Sequence, residues 1–131
     1  MIFVDTGAWY ALSVTSDADH AAATTWLSTN RDRLMTTDYV LNELLTLLRA
    51  RGENEKAIEV GRGLLEQRSV SLVFVLPDDV RAAFDVFAGY GDKKWSFTDC
   101  VSYTVMRRLD ITTAFSFDQH FRQFGTVNVV P

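Results

Sequence analysis

The chain has 131 residues, 47% hydrophobic and 23% charged, enough for one compact domain with its own core. A formal net charge of -4 and a pI of about 5.0 exclude affinity for nucleic acid by bulk charge, so any such contact has to come from a local patch. The single Cys100 cannot form an internal disulfide. The opening MIFVDTGAW lacks the basic segment of a signal peptide, and no apolar stretch approaches a membrane span, so a soluble cytoplasmic protein is expected.

Taken in chain order, Ile2 to Val4 reads as a short strand that turns at Asp5-Thr6-Gly7 into a helix from Ala8 to Leu12. Ser16 to His20 is a polar loop, and Ala21 to Leu27 a second helix. Leu34 to Thr36 is a strand, after which Thr37 caps a helix from Asp38 to about Arg51, ended by Gly52. Glu53 to Gln67 continues as a helix with Ile58, Leu64 and Leu65 as its inward positions. Leu72 to Val75 is a strand, and Pro77 opens a helix running through Phe87. Gly89 to Lys94 is a charged glycine-rich loop, followed by a helix from Ser96 to about Leu109. Thr112 to Ala114, Asp118 to Phe124 and Val127 to Val130 then read as strand, short helix and strand. This alternation predicts one α/β domain over residues 1–131, with a central, mostly parallel sheet of about five short strands between helices in three layers.

Four lone acids stand where apolar segments end or turn: Asp5 in MIFVDTGAWYAL, Glu43 in DYVLNELLTLLR, Asp99 in SFTDCVSYTVMRR and Asp118 in AFSFDQHF. A carboxylate held against a packed scaffold is costly unless something positive meets it, so four of them suggest a shared metal ion. Asp5 and Asp118 follow strands and are expected at one sheet edge, where open α/β sheets bind ligands. On a helix turning about 100° per residue, Glu43 shares a side with Val40, Leu44 and Leu47, at the margin of the apolar arc. Asp99 falls in the first turn of its helix, in the favourable field of the dipole. Each acid except Glu43 also has a purely structural reading. Asp5 and Asp118 can cap helices, with Thr6 and Ser116 as competing caps, and Asp99 stands three residues after Ser96 in a near capping box.

The order and surroundings of these acids resemble the PIN-domain family, most of all the toxin nucleases of VapBC-type toxin–antitoxin systems, and the resemblance covers nearly the whole chain. It implies a ribonuclease that hydrolyses RNA phosphodiester bonds with Mg²⁺ or Mn²⁺. Asp5, Glu43, Asp99 and Asp118 would be the metal-binding and catalytic set, with Thr6 and Ser116 as assisting hydroxyls. It also implies a small cognate antitoxin as partner. Asp5 and Asp99 are expected to contact the first ion, and Glu43 or Asp118 to orient water or bind a second. Two carboxylates ~4 Å apart repel by roughly 4 kcal/mol at an effective dielectric of 20. Without metal, at least one acid should therefore hold a proton near neutral pH.

Three rivals are open. A haloacid-dehalogenase-type phosphatase needs a second acid two residues after Asp5, where Gly7 stands. A receiver domain needs a lysine near the last strands, and none follows Lys94. A non-catalytic PIN-like interaction module would be suspected if one of the acids were missing.

Positive charge for RNA is sought in Lys93 and Lys94, with Trp95 beside them to stack a base. Arg49, Arg51, Arg107 and Arg108 end helices, and for the last two a solvated helix end is the simpler reading. Nothing in the sequence places a base or nucleophile beside His20 or His120. Cys100 reads as buried filler, and Trp9, Tyr10, Trp26, Phe84 and Phe87 as core or interface. The helices Tyr39–Leu48 and Glu53–Leu65 are rich in apolar residues, which a homodimer, an antitoxin groove or core packing would explain.

Overall fold

The computed structural model describes residues 1–131. Its elements alternate as β1 (Ile2–Val4), α1 (Thr6–Ser13), α2 (His20–Thr29), β2 (Leu34–Thr37), α3 (Asp38–Ala50), α4 (Asn54–Leu65), β3 (Val70–Val73), α5 (Pro77–Gly89), α6 (Phe97–Arg108), β4 (Thr113–Phe115), a 3₁₀ helix (Gln119–Gln123) and β5 (Asn128–Val130). All five strands pair in parallel in the order β3-β2-β1-β4-β5. The first crossovers run one way from β1 and the later ones the other. With right-handed connections this covers both faces of the sheet and makes a topological switch point between β1 and β4. No helix is long and apolar enough to cross a membrane.

The sheet is the centre of the core, as near-continuous apolar runs require of strands covered on both faces. Phe3, Val4, Met35, Ala114 and Phe115 are fully buried. Thr36, also fully buried, satisfies its hydroxyl by donating to the carbonyl of Val4 at 3.0 Å, and Thr37 caps α3 by accepting from the amide of Val40.

Two expectations need correction. The third strand lies at Val70–Val73, earlier than the apolar pattern suggests. Gln67, at a positive φ of 50°, turns the chain and accepts from the Leu72 amide, so Val70 and Leu72 face inward; the Val75 amide leaves the sheet to bond Asp38. On α4, Ile58 and Leu65 point outward at 48% and 57% exposure, whereas Ala57, Gly61 and Leu64 are the inward face. Small residues there let α4 approach α3 so closely that a Cβ on Gly61 would sit 3.1 Å from Leu45 Cδ2. Phe84 and Phe87 on α5, expected as core or interface, are 59% and 46% exposed.

Candidate active site

The switch point brings three segments of the chain to one place. Asp5 follows β1, and its amide donates to the carbonyl of Phe115 at the end of β4. Ser116, the next residue, is buried and donates its hydroxyl to Asp5 Oδ2. The other Asp5 oxygen accepts from the amide of Ala8 at 2.8 Å and so caps α1. Asp5 is therefore a cap as well as a candidate site residue. Ser116 serves twice as well, because its oxygen accepts from the amide of Asp118 at 3.0 Å.

Asp99 and Asp118, the other candidates at element ends, are caps as well. Asp99 Oδ2 accepts from the Ser96 amide while Ser96 Oγ accepts from the Asp99 amide, a complete capping box at the start of α6. Asp118 Oδ1 accepts from the His120 amide and caps the 3₁₀ helix. Glu43, half-buried in the middle of α3, is engaged by no cap or ion pair.

Asp5 and Asp99 each feel acidic neighbours. Burial pushes the Asp5 carboxyl up to about 7, against the opposing bonds from Ser116 and Ala8, and the charges of Asp99 and Asp118 add to the rise. Burial likewise raises Asp99, with Asp118 and Glu43 contributing repulsion. Of the four acids, Asp5 is the one whose carboxyl is pushed furthest toward holding a proton near neutrality, mainly by its burial.

The donor set consists of hard oxygens, which suits Mg²⁺ or Mn²⁺. No three acidic, histidine or cysteine side chains converge closely enough to ligate one ion by themselves as they stand. Mg²⁺ generally keeps several waters beside one or two carboxylates, so the residues fit an ion held partly through water.

The remaining candidates separate. Thr6 is buried in the first turn of α1, but Ser116 is the hydroxyl that meets Asp5. Lys94 is exposed and Lys93 half-buried on the loop before α6. Trp95 is not a free stacking surface. It is 8% exposed, its ring stacked on Phe124 at 4.1 Å and its Nε1 donating to the carbonyl of His120. His120, which the sequence left without a neighbour, places Nδ1 3.2 Å from Asp118 Oδ1. Arg108 pairs with Asp79, Arg51 covers the Tyr10 ring, and Arg107 covers the Tyr103 ring. Cys100 is fully buried, and desolvation followed by the Asp99 charge pushes its thiol up to about 11, so it is filler.

A parallel sheet with strand order β3-β2-β1-β4-β5 and acids at its switch point is the fold of PIN-domain nucleases. Residues 2–127 match the PIN domain family, and the chain belongs to it. The chain is similar to the 23S rRNA-specific endonuclease VapC20 of Mycobacterium tuberculosis, in strains CDC 1551 / Oshkosh and ATCC 25618 / H37Rv alike. The two are 34% identical over 131 residues, which is 100% of this chain and 99% of the relative. The crystal structure of Mycobacterium tuberculosis VapC20, a sarcin–ricin loop cleaving toxin, matches with a TM-score of 0.93 at 31% identity and covers 100% of both chains.

Proposed function

We propose that this chain is a Mg²⁺- or Mn²⁺-dependent endoribonuclease toxin of a cytoplasmic toxin–antitoxin pair. Its proposed substrate is the sarcin–ricin loop of 23S rRNA. The observation that carries the reading is Asp5: a carboxyl 7% exposed, held by Ser116, with a pKa raised to about 7 beside Asp99 and Asp118. A structural cap has no need of two acidic neighbours, whereas a cation among them removes the penalty each imposes on the others.

Asp5 and Asp99 hold the ion in this reading, and Asp118 shares it. Glu43, free of other partners, orients the attacking water or holds a second ion. When bound, the ion lowers the pKa of that water and stabilises charge on the phosphoryl oxygens. Ser116 fixes the Asp5 rotamer, and the capping bonds hold Asp99 and Asp118, so the site is pre-organised on element ends.

A purified chain should cleave a sarcin–ricin hairpin with Mg²⁺ or Mn²⁺ and lose that cleavage in chelator. Asp5→Asn and Asp99→Asn should each lower kcat by about a hundredfold or more, as lost metal contacts do. Full metal-dependent cleavage by Asp5→Asn would sink the site, and no cleavage by the wild type would favour a non-catalytic interaction module.

The partner surface follows from the outward side chains of α4. Leu45, Ala57, Ile58, Gly61 and Leu65 line an open groove of about 660 Å³ between α3 and α4, with Arg49 and Arg62 at its rim. An amphipathic antitoxin segment with apolar anchors and acidic flanks fits this chemistry. A second copy of the chain is the proposed cover for Phe74, Leu76 and Phe84, which are 60%, 47% and 59% exposed.

A further inference from the structure

The bend between α5 and α6 encloses a second, smaller cavity, of about 140 Å³, walled by Phe87, Tyr90, Gly91, Lys93, Trp95 and Cys100. None of these residues belongs to the acid cluster. Trp95 is its fixed wall, held by the stack on Phe124 and by the bond to His120. Tyr90 is its open wall: 52% exposed, its ring 5.4 Å from Trp95 at an interplanar angle of 56°. Lys93 closes the turn by donating its amide to the Tyr90 carbonyl, and its ammonium meets only the exposed Asp92, at 3.8 Å.

The cavity's walls are tied to residues that stand near the acids in the chain. Phe87 packs edge-on against Phe97, which stands two residues before Asp99, and Phe97 also meets Tyr39, one turn before Glu43 on α3. Trp95 is tied to His120, two residues beyond Asp118. The walls and the acids are thus carried by the same segments.

We propose that this cavity receives one unstacked base of the RNA substrate, adjoining the scissile phosphate. Tyr90 supplies the stacking face and Lys93 meets the neighbouring backbone phosphate. The proposal rests on the ribonuclease reading above. The volume lies well below the about 300–1,000 Å³ of pockets that take drug-sized ligands, so a single planar ring fits and a whole nucleotide does not. Aromatic faces accept any base, and proteins that read RNA loops take bases splayed out of the stack. The lysine answers an electrostatic need: the acid cluster repels a phosphodiester, and the net charge of -4 supplies no general attraction.

The test uses sarcin–ricin hairpins carrying 2-aminopurine at one loop position at a time, bound to the full-length Asp99→Asn chain. One position beside the cleavage point should lose fluorescence about twofold or more through stacking. Tyr90→Ala in that background should abolish the loss, and Tyr90→Phe should keep it. In otherwise wild-type protein, Tyr90→Ala should lower kcat/KM about five- to a hundredfold, mostly through KM, with an unchanged melting temperature. The assignment is overturned if the hairpin binds with no position quenched, or if Tyr90→Ala cleaves as well as wild type. It is equally overturned if Phe87→Ala and Tyr90→Ala halve the sedimentation mass and leave the quench intact, because a second copy then covers this surface. Wild-type cleavage measured alongside separates the two failures. A cleaving protein without quench loses only the base cavity, and a protein that cleaves nothing loses the ribonuclease reading and the cavity together.

Discussion

Asp5 carries a stability signature that can be measured without any RNA. Its folded pKa of about 7 lies above the ordinary 3.8, so the folded chain binds more protons than the unfolded one between those values. The stability that Asp5 contributes to the metal-free protein should therefore be fully present below about pH 4 and be lost as the pH climbs through about 7, on the order of a few kcal/mol. Chemical denaturation across that range in chelator should show this decline, and Asp5→Asn should flatten it. Mg²⁺ at pH 8 should raise the melting temperature of the wild type and leave Asp5→Asn unmoved. All four acids could be picked out of the sequence because each interrupts apolar residues. The same local reading misjudged Trp95. Between lysines and a serine it looks exposed, and only Phe124 and His120, distant in sequence, bury it. Ser116 reads as an ordinary cap until β4 is seen lying beside β1.

At the level of elements, α5 and α6 are pinned by one ion pair. Arg108 Nε donates to Asp79 Oδ1 at 2.8 Å and its Nη2 to Oδ2 at 2.9 Å, with Asp79 3% exposed and also accepting from the Leu76 amide. Burial alone would raise Asp79, but the Arg108 and Leu76 bonds outweigh it and hold the carboxyl below its usual value. This contribution is present above the ordinary carboxylate range and is lost as the pH falls through the depressed pKa. Arg108→Met, which keeps the stem but strands a buried carboxylate, should cost about 1–3 kcal/mol in urea unfolding at pH 7 and less at acidic pH. Helix and strand identities were readable from periodicity, since caps, glycine stops and Pro77 punctuate them. Helix faces were less so. On α4 the large residues Ile58 and Leu65 look inward by hydrophobicity, yet close packing against Leu45 selects Ala57 and Gly61 instead. That choice belongs to the pair of helices and is invisible in either alone.

For the whole molecule, partner and substrate should use separate surfaces. Ile58→Asp combined with Leu65→Asp changes two exposed side chains, so stability and RNA cleavage should hold while neutralisation by the antitoxin drops at least about tenfold in titrated inhibition assays. Loss of cleavage in that variant would place the groove on the substrate path instead. If local lysines draw the phosphates, as proposed, the KM for RNA should rise steeply with salt. The pairing of β1 with β4 has a further effect, which concerns time. The first acid of the site lies at residue 5 and the last at 118, and the hydroxyl that fixes Asp5 arrives only with Ser116. During synthesis from the N-terminus the strand that completes this centre is among the last to appear, and the earlier segments can fold against one another without it. A centre wired across the length of the chain in this way is completed only when synthesis is nearly over.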